Sequence, residues 1–375
     1  MNAKIIPIHT LILLFLTFPS NLIVCAQSKQ NQFEIMGKLT GFEEQTKFLL
    51  INLDVTAEID SAYLTNGNIY FEGDIEEPCV YRLEPESGEV EFNFWVENKR
   101  ISLEGCKKDF SNIKVTGSPL NDIYKSVESQ HFIQDVKRDS LFRLAMNEKN
   151  EMVLKKIWNT ISKIDKEVTD IRINTIENFE PSIVTINELY FLRNDLTKDS
   201  LKLLFNTFPA ELRATKFGEV IKQYIANDEL KVGAVAVDIA GKDLDNKEYK
   251  LSDFYGKVVL LDFWAAWCGP CRASNKELAD IYKKFNKEDF EVLSFYVDNN
   301  VEDWRSASQK DEISWINISD LKGFYSTQIA SYEVRAIPKS FLVDKNGRIV
   351  HIFEGFGEGG DAAAIIGREI EKMKK

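Results

Sequence analysis

Apolar and polar positions change rhythm twice along this chain. From Phe33 to Gly117 the apolar residues come in short alternating runs, such as Phe48-Leu-Leu-Ile-Asn-Leu53, Ile69-Tyr-Phe71, Val80-Tyr-Arg-Leu83, Phe92-Asn-Phe-Trp-Val96 and Ile101-Ser-Leu103. Turn-forming clusters separate them: Asn66-Gly67-Asn68, Glu77-Pro78, Ser87-Gly88 and Asn98-Lys99. Short strands at that interval predict an antiparallel β-sandwich or small barrel. At Gly117-Ser118-Pro119 the period lengthens. Ile123, Val127, Phe132, Val136, Leu141 and Leu144, then Val153, Ile157, Ile161, Ile164, Val168 and Ile171, recur at helical spacing. Several helices packed on one another are expected to about Ile225, with Pro181 and Pro209 in first turns. Trp158, Phe179, Tyr190 and Phe191 read as core, and the charges of alternating sign as a solvated face.

The third rhythm follows a charged stretch, Asn227 to Lys231. A hairpin turning at Asp243–Glu248 precedes a continuous apolar run from Val258 to Trp267. A helical pattern then spans Arg272 to Phe285. Next come a strand (Phe290 to Val297), helices near 301–310 and 323–332, and strands at Lys339–Val343 and Arg348–Phe353 joined by the turn Asp344-Lys-Asn-Gly347. A helix from Asp361 to Lys375 ends the chain. This is an α/β sheet flanked by helices. The expected organisation is a leader at 1–26, a β-sandwich-like module at 27–118, a helical segment at 119–229 and an α/β domain at 230–375.

A length of 375 residues suits two or three domains, and 44% apolar with 28% charged residues is ordinary for folded protein. A net charge of −12 argues against nucleic acid as a partner, because that surface must be positive. The N-terminus has the form of an export signal: Lys4, an apolar stretch from Ile5 to Phe18, breakers at Pro19-Ser20-Asn21, and small residues that suit cleavage after Ala26. An uncleaved anchor or lipid attachment at Cys25 are the alternatives; either would leave a tether at the start of the chain. Export implies a periplasmic or cell-envelope location. Of five cysteines, Cys25 falls in the leader, leaving Cys79, Cys106, Cys268 and Cys271. Cys79 and Cys106 would lie at opposite ends of a meander and are expected to be separate buried thiols.

Cys268-Gly269-Pro270-Cys271 carries the chemistry. Two sulfurs three positions apart at a helix start can close a small disulfide ring. The first lies where free N–H groups and the helix dipole favour an anion, so its thiol ionises below the usual value of roughly 8.5. Thiolate is the attacking species: Cys268 attacks and Cys271 resolves. Pro270 stiffens the turn. Half of a zinc site is the competing reading, but no further cysteine or histidine lies near, and His131 has no partner at ligand spacing. No metal or cofactor is expected. Asp262 interrupts the apolar strand, and a carboxylate there is costly without a purpose. Only Pro270 and Pro338 follow Pro209.

Val258-Val-Leu-Leu-Asp-Phe-Trp-Ala-Ala-Trp-Cys-Gly-Pro-Cys-Arg272 resembles the active site of thioredoxin-fold proteins. With Gly256-Lys257 upstream and Ala336-Ile-Pro-Lys-Ser-Phe-Leu-Val-Asp-Lys-Asn-Gly347 downstream, the chain from about Val232 resembles the exported TlpA/ResA-like thiol–disulfide oxidoreductases. The upstream parts resemble, more weakly, an extension of no established activity found on envelope members of that group. The resemblance implies a thioredoxin-like C-terminal domain and a cis-proline at Ile337-Pro338 facing the dithiol, with backbone there that pairs with substrate. It implies a proton relay from Asp262 to Cys271, and shielding by Trp264 and Trp267, the latter beside substrate with Gly269 and Pro270. Two positions depart from the pattern: Lys276 stands where a helix-kinking proline is common, and Lys339 where threonine is common. A cation at Lys339 near Cys268 would stabilise its thiolate and make the disulfide more oxidising. The implied function is reduction of protein disulfides in the envelope, with an upstream membrane thiol donor and apocytochrome c maturation as one pathway. A peroxiredoxin-type thiol peroxidase is a rival, although Ala265 replaces the threonine such a site uses. A non-enzymatic, redox-sensitive envelope binding protein is another.

Overall fold

The computed structural model describes residues 32–54, 57–228, 230–355 and 362–374. The expected leader, its cleavage point and Cys25 lie outside the described residues. Strands β1 (Phe33–Thr40), β2 (Lys47–Asn52), β3 (Ala57–Tyr63), β4 (Asn68–Gly73), β5 (Cys79–Pro85), β6 (Phe92–Val96), β7 (Arg100–Cys106) and β8 (Lys114–Thr116) form two open four-stranded sheets, ordered β4-β1-β7-β8 and β3-β2-β5-β6. The second is antiparallel as expected. The first is mixed, because β1 and β7 pair in parallel from Glu34↔Arg100 to Thr40↔Cys106. A parallel neighbour needs a long crossover, and the excursion through the other sheet supplies it. Alternation points Phe33, Ile35 and Leu39 of β1 inward to meet Tyr81 and Leu83 of β5 in one core. Cys79 and Cys106 are both free thiols. What separates them is that β5 and β7 belong to different sheets, not the ends of one meander.

Helices α1 (Pro119–Asn147), α2 (Glu151–Asn178), α3 (Ile183–Leu192), α4 (Lys198–Phe205), α5 (Ala210–Arg213) and α6 (Lys216–Ala226) follow. Pro119 occupies the first turn of α1, and Asn150 caps α2 by accepting from Met152 and Val153 N–H. Pro181 and Pro209 sit outside the first turns expected for them: Ser182 caps α3, and Pro209 is itself the residue before α5. α1 and α2 form a long hairpin whose base joins α3 and α6 in a second core. Toward its tip apolar side chains stay at the surface. Trp158, expected in the core, is 45% exposed and packs edge-on against Phe142. His131 does have carboxylate partners: its Nδ1 lies 2.6 Å from Asp135, one turn along α1, and its Nε2 3.8 Å from the buried Glu188 of α3.

The last part contains β9 (Ala240–Lys242), β10 (Glu248–Lys250), β11 (Val258–Trp264), α7 (Gly269–Lys284), β12 (Phe290–Tyr296), α8 (Val301–Lys310), β13 (Ile316–Ile318), α9 (Thr327–Ser331), β14 (Lys339–Val343), β15 (Ile349–Glu354) and α10 (Ala362–Met373). Five strands make one sheet in the order β13-β12-β11-β14-β15. β11 to β13 run parallel and β14 and β15 antiparallel to β11 and β14. β11 and β12 are buried at every residue, as a central strand covered on both faces must be. Leu260 packs with Leu278 of α7 and Ile366 of α10 on one face, and Leu261 and Phe263 with Ile329 and Tyr332 on the other. The helix expected near 323–332 is a 3-10 turn at Gly323–Tyr325 followed by the short α9. α9 leans on the helical segment. Ala330 belongs to its core, Tyr190 Oη donates to the Phe324 carbonyl at 3.1 Å, and Gln223 donates to Ser331 Oγ at 3.0 Å.

Candidate active site

The site is assembled where β11 ends and α7 begins. Cys268 caps α7, with Gly269 and Pro270 in its first turn. Cys268 and Cys271 are joined as a disulfide with Cα atoms 5.2 Å apart, and both are buried. The Cys271 N–H points at Cys268 Sγ at 3.2 Å. That donor and the helix N-terminus both favour negative charge on Cys268 once the bond is reduced. A side chain at Gly269 would meet nothing within 4 Å, so the approach to the sulfurs over this residue is open. α7 runs through Lys276 as one helix.

The Ile337-Pro338 peptide bond is cis. β14, held beside β11 by the pairing Phe263↔Lys339, brings it opposite the dithiol, and the Ile337 carbonyl oxygen lies 3.7 Å from Cys268 Sγ. Lys339 turns neither to Cys268 nor to water. Its ammonium sits 2.9 Å from Glu354 across the β14–β15 pair, and its side chain is only 15% exposed.

Asp262 is on the same sheet face as Leu260 and Trp264, because side chains alternate along a strand. Leu260 packs on α7, and Trp264 clusters with Cys268 and Cys271. Asp262 therefore lies beneath the active-site helix, 3% exposed, accepting a hydrogen bond from Ser340 Oγ at 2.7 Å. Burial pushes its carboxyl up to about 6, against hydrogen bonds from Ser340 and Ser294 that hold it down. Trp264 is wholly buried, its indole donating to Asn317 at 3.1 Å, whereas Trp267 is 61% exposed and forms a rim beside Cys268.

One pair escaped the sequence. Arg272 forms a two-pronged ion pair with the buried Asp311 at the end of α8, one prong being Nη2 to Oδ1 at 2.7 Å. Asn275 adds a donor to the same carboxylate at 3.0 Å, and Arg272 Nη1 reaches the Ala266 carbonyl at 3.3 Å. The first turn of α7 is thus tied both to α8 and to the loop before Cys268. Arg272 directly follows the dithiol, but Asp311 is 39 positions away, beyond any local spacing rule. Among the described residues no group of three histidine, cysteine or acidic side chains is placed to hold a metal.

Comparison with known proteins finds family matches to two separate stretches of the chain. Residues 232–352 match the AhpC/TSA family, and residues 33–124 match a domain of unknown function, DUF4369. The thiol-disulfide oxidoreductase ResA of Geobacillus kaustophilus is 30% identical over 124 residues, 33% of this chain and 70% of its own length. ResA of Bacillus cereus is 27% identical over 156 residues, 41% of this chain and 88% of its own. Among solved structures, the thioredoxin domain of a thiol-disulfide oxidoreductase from Bacteroides vulgatus is 32% identical and covers 38% of this chain and 99% of its own, with a TM-score of 0.36. A thiol:disulfide interchange protein from Bacteroides sp. is 30% identical over 38% of this chain and 91% of its own, with a TM-score of 0.34.

Proposed function

This chain belongs to the ResA-type thiol–disulfide oxidoreductases, and on that premise we propose that Cys268 and Cys271 are its redox pair, reducing protein disulfides in the cell envelope after export. The observation that carries the reading is the placement of Cys268: at a helix N-terminus, receiving the Cys271 N–H, under the Ile337 carbonyl and next to an open approach. In the reduced enzyme the Cys268 thiolate attacks one sulfur of a client disulfide. A Cys268–client disulfide forms and the other client sulfur leaves as a thiolate. Cys271 then gives up its proton and attacks Cys268 Sγ, releasing the second client thiolate and closing the Cys268–Cys271 bond. Asp262, with its carboxyl near 6, is the group beneath α7 that takes this proton. Ile337 and Pro338, with Gly269, Pro270 and Trp267, form the face the client meets. Two electrons from an upstream membrane dithiol restore the pair; apocytochrome c maturation is one pathway that needs such a reductant.

The organisation proposed with it is a cleaved leader at 1–26 and the modules 27–118, 119–229 and 230–375. No helix among the described residues is long and apolar enough to cross a membrane. A peroxidase reading lacks a hydroxyl at the buried Ala265, and the nearby Arg272 is committed to Asp311. The test is trapping in cells. Cys271→Ser should accumulate mixed disulfides with envelope proteins, and Cys268→Ser should not. A Cys271→Ser trap as empty as the Cys268→Ser control removes the proposal. The couple's potential gives the direction: near roughly −270 mV for a reductant, near roughly −120 mV for an oxidant.

A further inference from the structure

Trp267, the residue before Cys268, lines a cleft of about 690 Å³ whose walls come from all three parts of the chain. Leu53 and Asp54 follow β2, Tyr190 and Arg193 come from the end of α3, and Trp267, Asp298 and Arg335 belong to the α/β domain. The walls are fastened together: Asn299 donates to the Asp54 carbonyl at 2.9 Å, and Tyr190 to the Phe324 carbonyl. A volume of this size takes a short peptide segment or a few side chains.

The charges in this cleft are unevenly matched. Asp54 is ion-paired with Lys216 and accepts from the Tyr325 hydroxyl. Asp298 accepts from the Trp267 indole and the Asn299 N–H. Both carboxylates are therefore satisfied from within. The guanidiniums are not. Arg193, only 8% exposed, lies 3.8 Å over the Tyr190 ring and donates to the Tyr190 carbonyl. Arg335, two residues before Ile337 on the exposed rim, reaches only the Tyr224 hydroxyl at 3.4 Å. No carboxylate among the described residues pairs with either. A guanidinium has five N–H donors, and Arg193, which lines the cleft, directs its own to Tyr190 and to no carboxylate.

We propose that this cleft is where the client polypeptide docks, and that Arg193 and Arg335 select a segment bearing a carboxylate side chain close to its disulfide cysteine. This rests on the Cys268–Cys271 reading and gives the two upstream modules a part in catalysis, because they build the wall that recognises the client. Against a chain of net charge −12, an acidic segment is admitted only where local positive charge is spare.

Three peptides identical except for Glu, Gln or Lys beside their single cysteine, each blocked as a mixed disulfide with 2-mercaptoethanol, are reduced by the full-length dithiol enzyme. Two partly exposed charge contacts, attractive for Glu and repulsive for Lys, give a Glu-to-Lys rate ratio of about five to ten. Arg335→Glu should bring that ratio below one, and Arg193→Gln should roughly halve it. The ratio is internal to each variant, so partial unfolding lowers all three rates alike. A wild-type ratio near one, or one unmoved by Arg335→Glu, overturns the proposal. Bis(2-hydroxyethyl) disulfide separates the two layers. If the enzyme reduces it while showing no charge preference, only the docking proposal fails. If it reduces neither this nor any peptide, the dithiol assignment falls and the docking proposal with it.

Discussion

Replacing Asp262 by Asn tests the role of burial at the dithiol. The carboxyl is fully enclosed, and its proton affinity rises from the ordinary 3.8 to about 6. A group whose folded value is raised favours folding while it is protonated, and loses that contribution as pH climbs through the folded value. Below about pH 4 Asp262 is neutral folded or unfolded and costs nothing as a charge. Between about pH 4 and 6 the unfolded chain ionises first, and above 6 the native carboxylate itself is buried and charged. A little over two pH units at 1.36 kcal/mol each is about 3 kcal/mol of stability lost by pH 8. Asn keeps the shape and can still hydrogen-bond Ser340, but carries no charge. The oxidised Asp262→Asn protein should therefore exceed wild type by about 2–3 kcal/mol at pH 8, and by less than about 1 kcal/mol at pH 4. The assay is urea denaturation at both pH values, with the β11 and β12 peptides followed by hydrogen exchange, so that the α/β domain reports separately. A variant no more stable than wild type at pH 8, or a difference independent of pH, would falsify the reasoning. In the reduced enzyme the same substitution should slow release of the mixed disulfide, giving a protein that is sturdier and slower.

Arg272→Ala should destabilise the α/β domain by about 2 kcal/mol, because it leaves the buried Asp311 with Asn275 as its remaining side-chain donor. Thermal unfolding checks this, and Arg272→Ala with Asp311→Leu should recover part of the loss. Lys339→Thr should move the Cys268 thiolate pKa by less than about half a unit, since the ammonium is already engaged by Glu354. Titration of thiolate absorbance at 240 nm measures it; a larger rise would mean that Lys339 acts on the sulfur after all.

The dithiol and its strand were legible because their signals are local. A fully apolar run ending in Cys-Gly-Pro-Cys encodes a central strand and a helix start within about fifteen residues. Asp262 stood out for a related reason, as a carboxylate where every neighbour is buried. What stayed hidden depends on partners distant in the chain. The β1–β7 pairing was invisible because a strand's alternation does not state its direction. β13 is three residues long and leaves no periodic trace. Arg272 gave no sign of Asp311, nor Lys339 of Glu354, although both decide where a cation near the cysteines spends its charge. Trp158 was misplaced because helical spacing shows which residues share a face, not whether anything covers it. His131 was missed differently: Asp135 lies one turn along its own helix and could have been read, whereas Glu188 arrives from another.

Ala330 carries a consequence for how such chains diversify. It sits on α9, inside the core of the helical segment, a few residues before the Ile337-Pro338 bond. A relative whose match already takes 88% of its length has little chain left to cover that face. Where nothing covers α9, the position of Ala330 would meet water, and polar residues should be favoured there. Here it meets Ile221 and Tyr224 of the same core, and only a small apolar residue suits. The upstream modules are therefore not merely joined at one end. They set what α9 can carry at this position, and a family-wide alignment sorted by the presence of the extension should show its character switching with it.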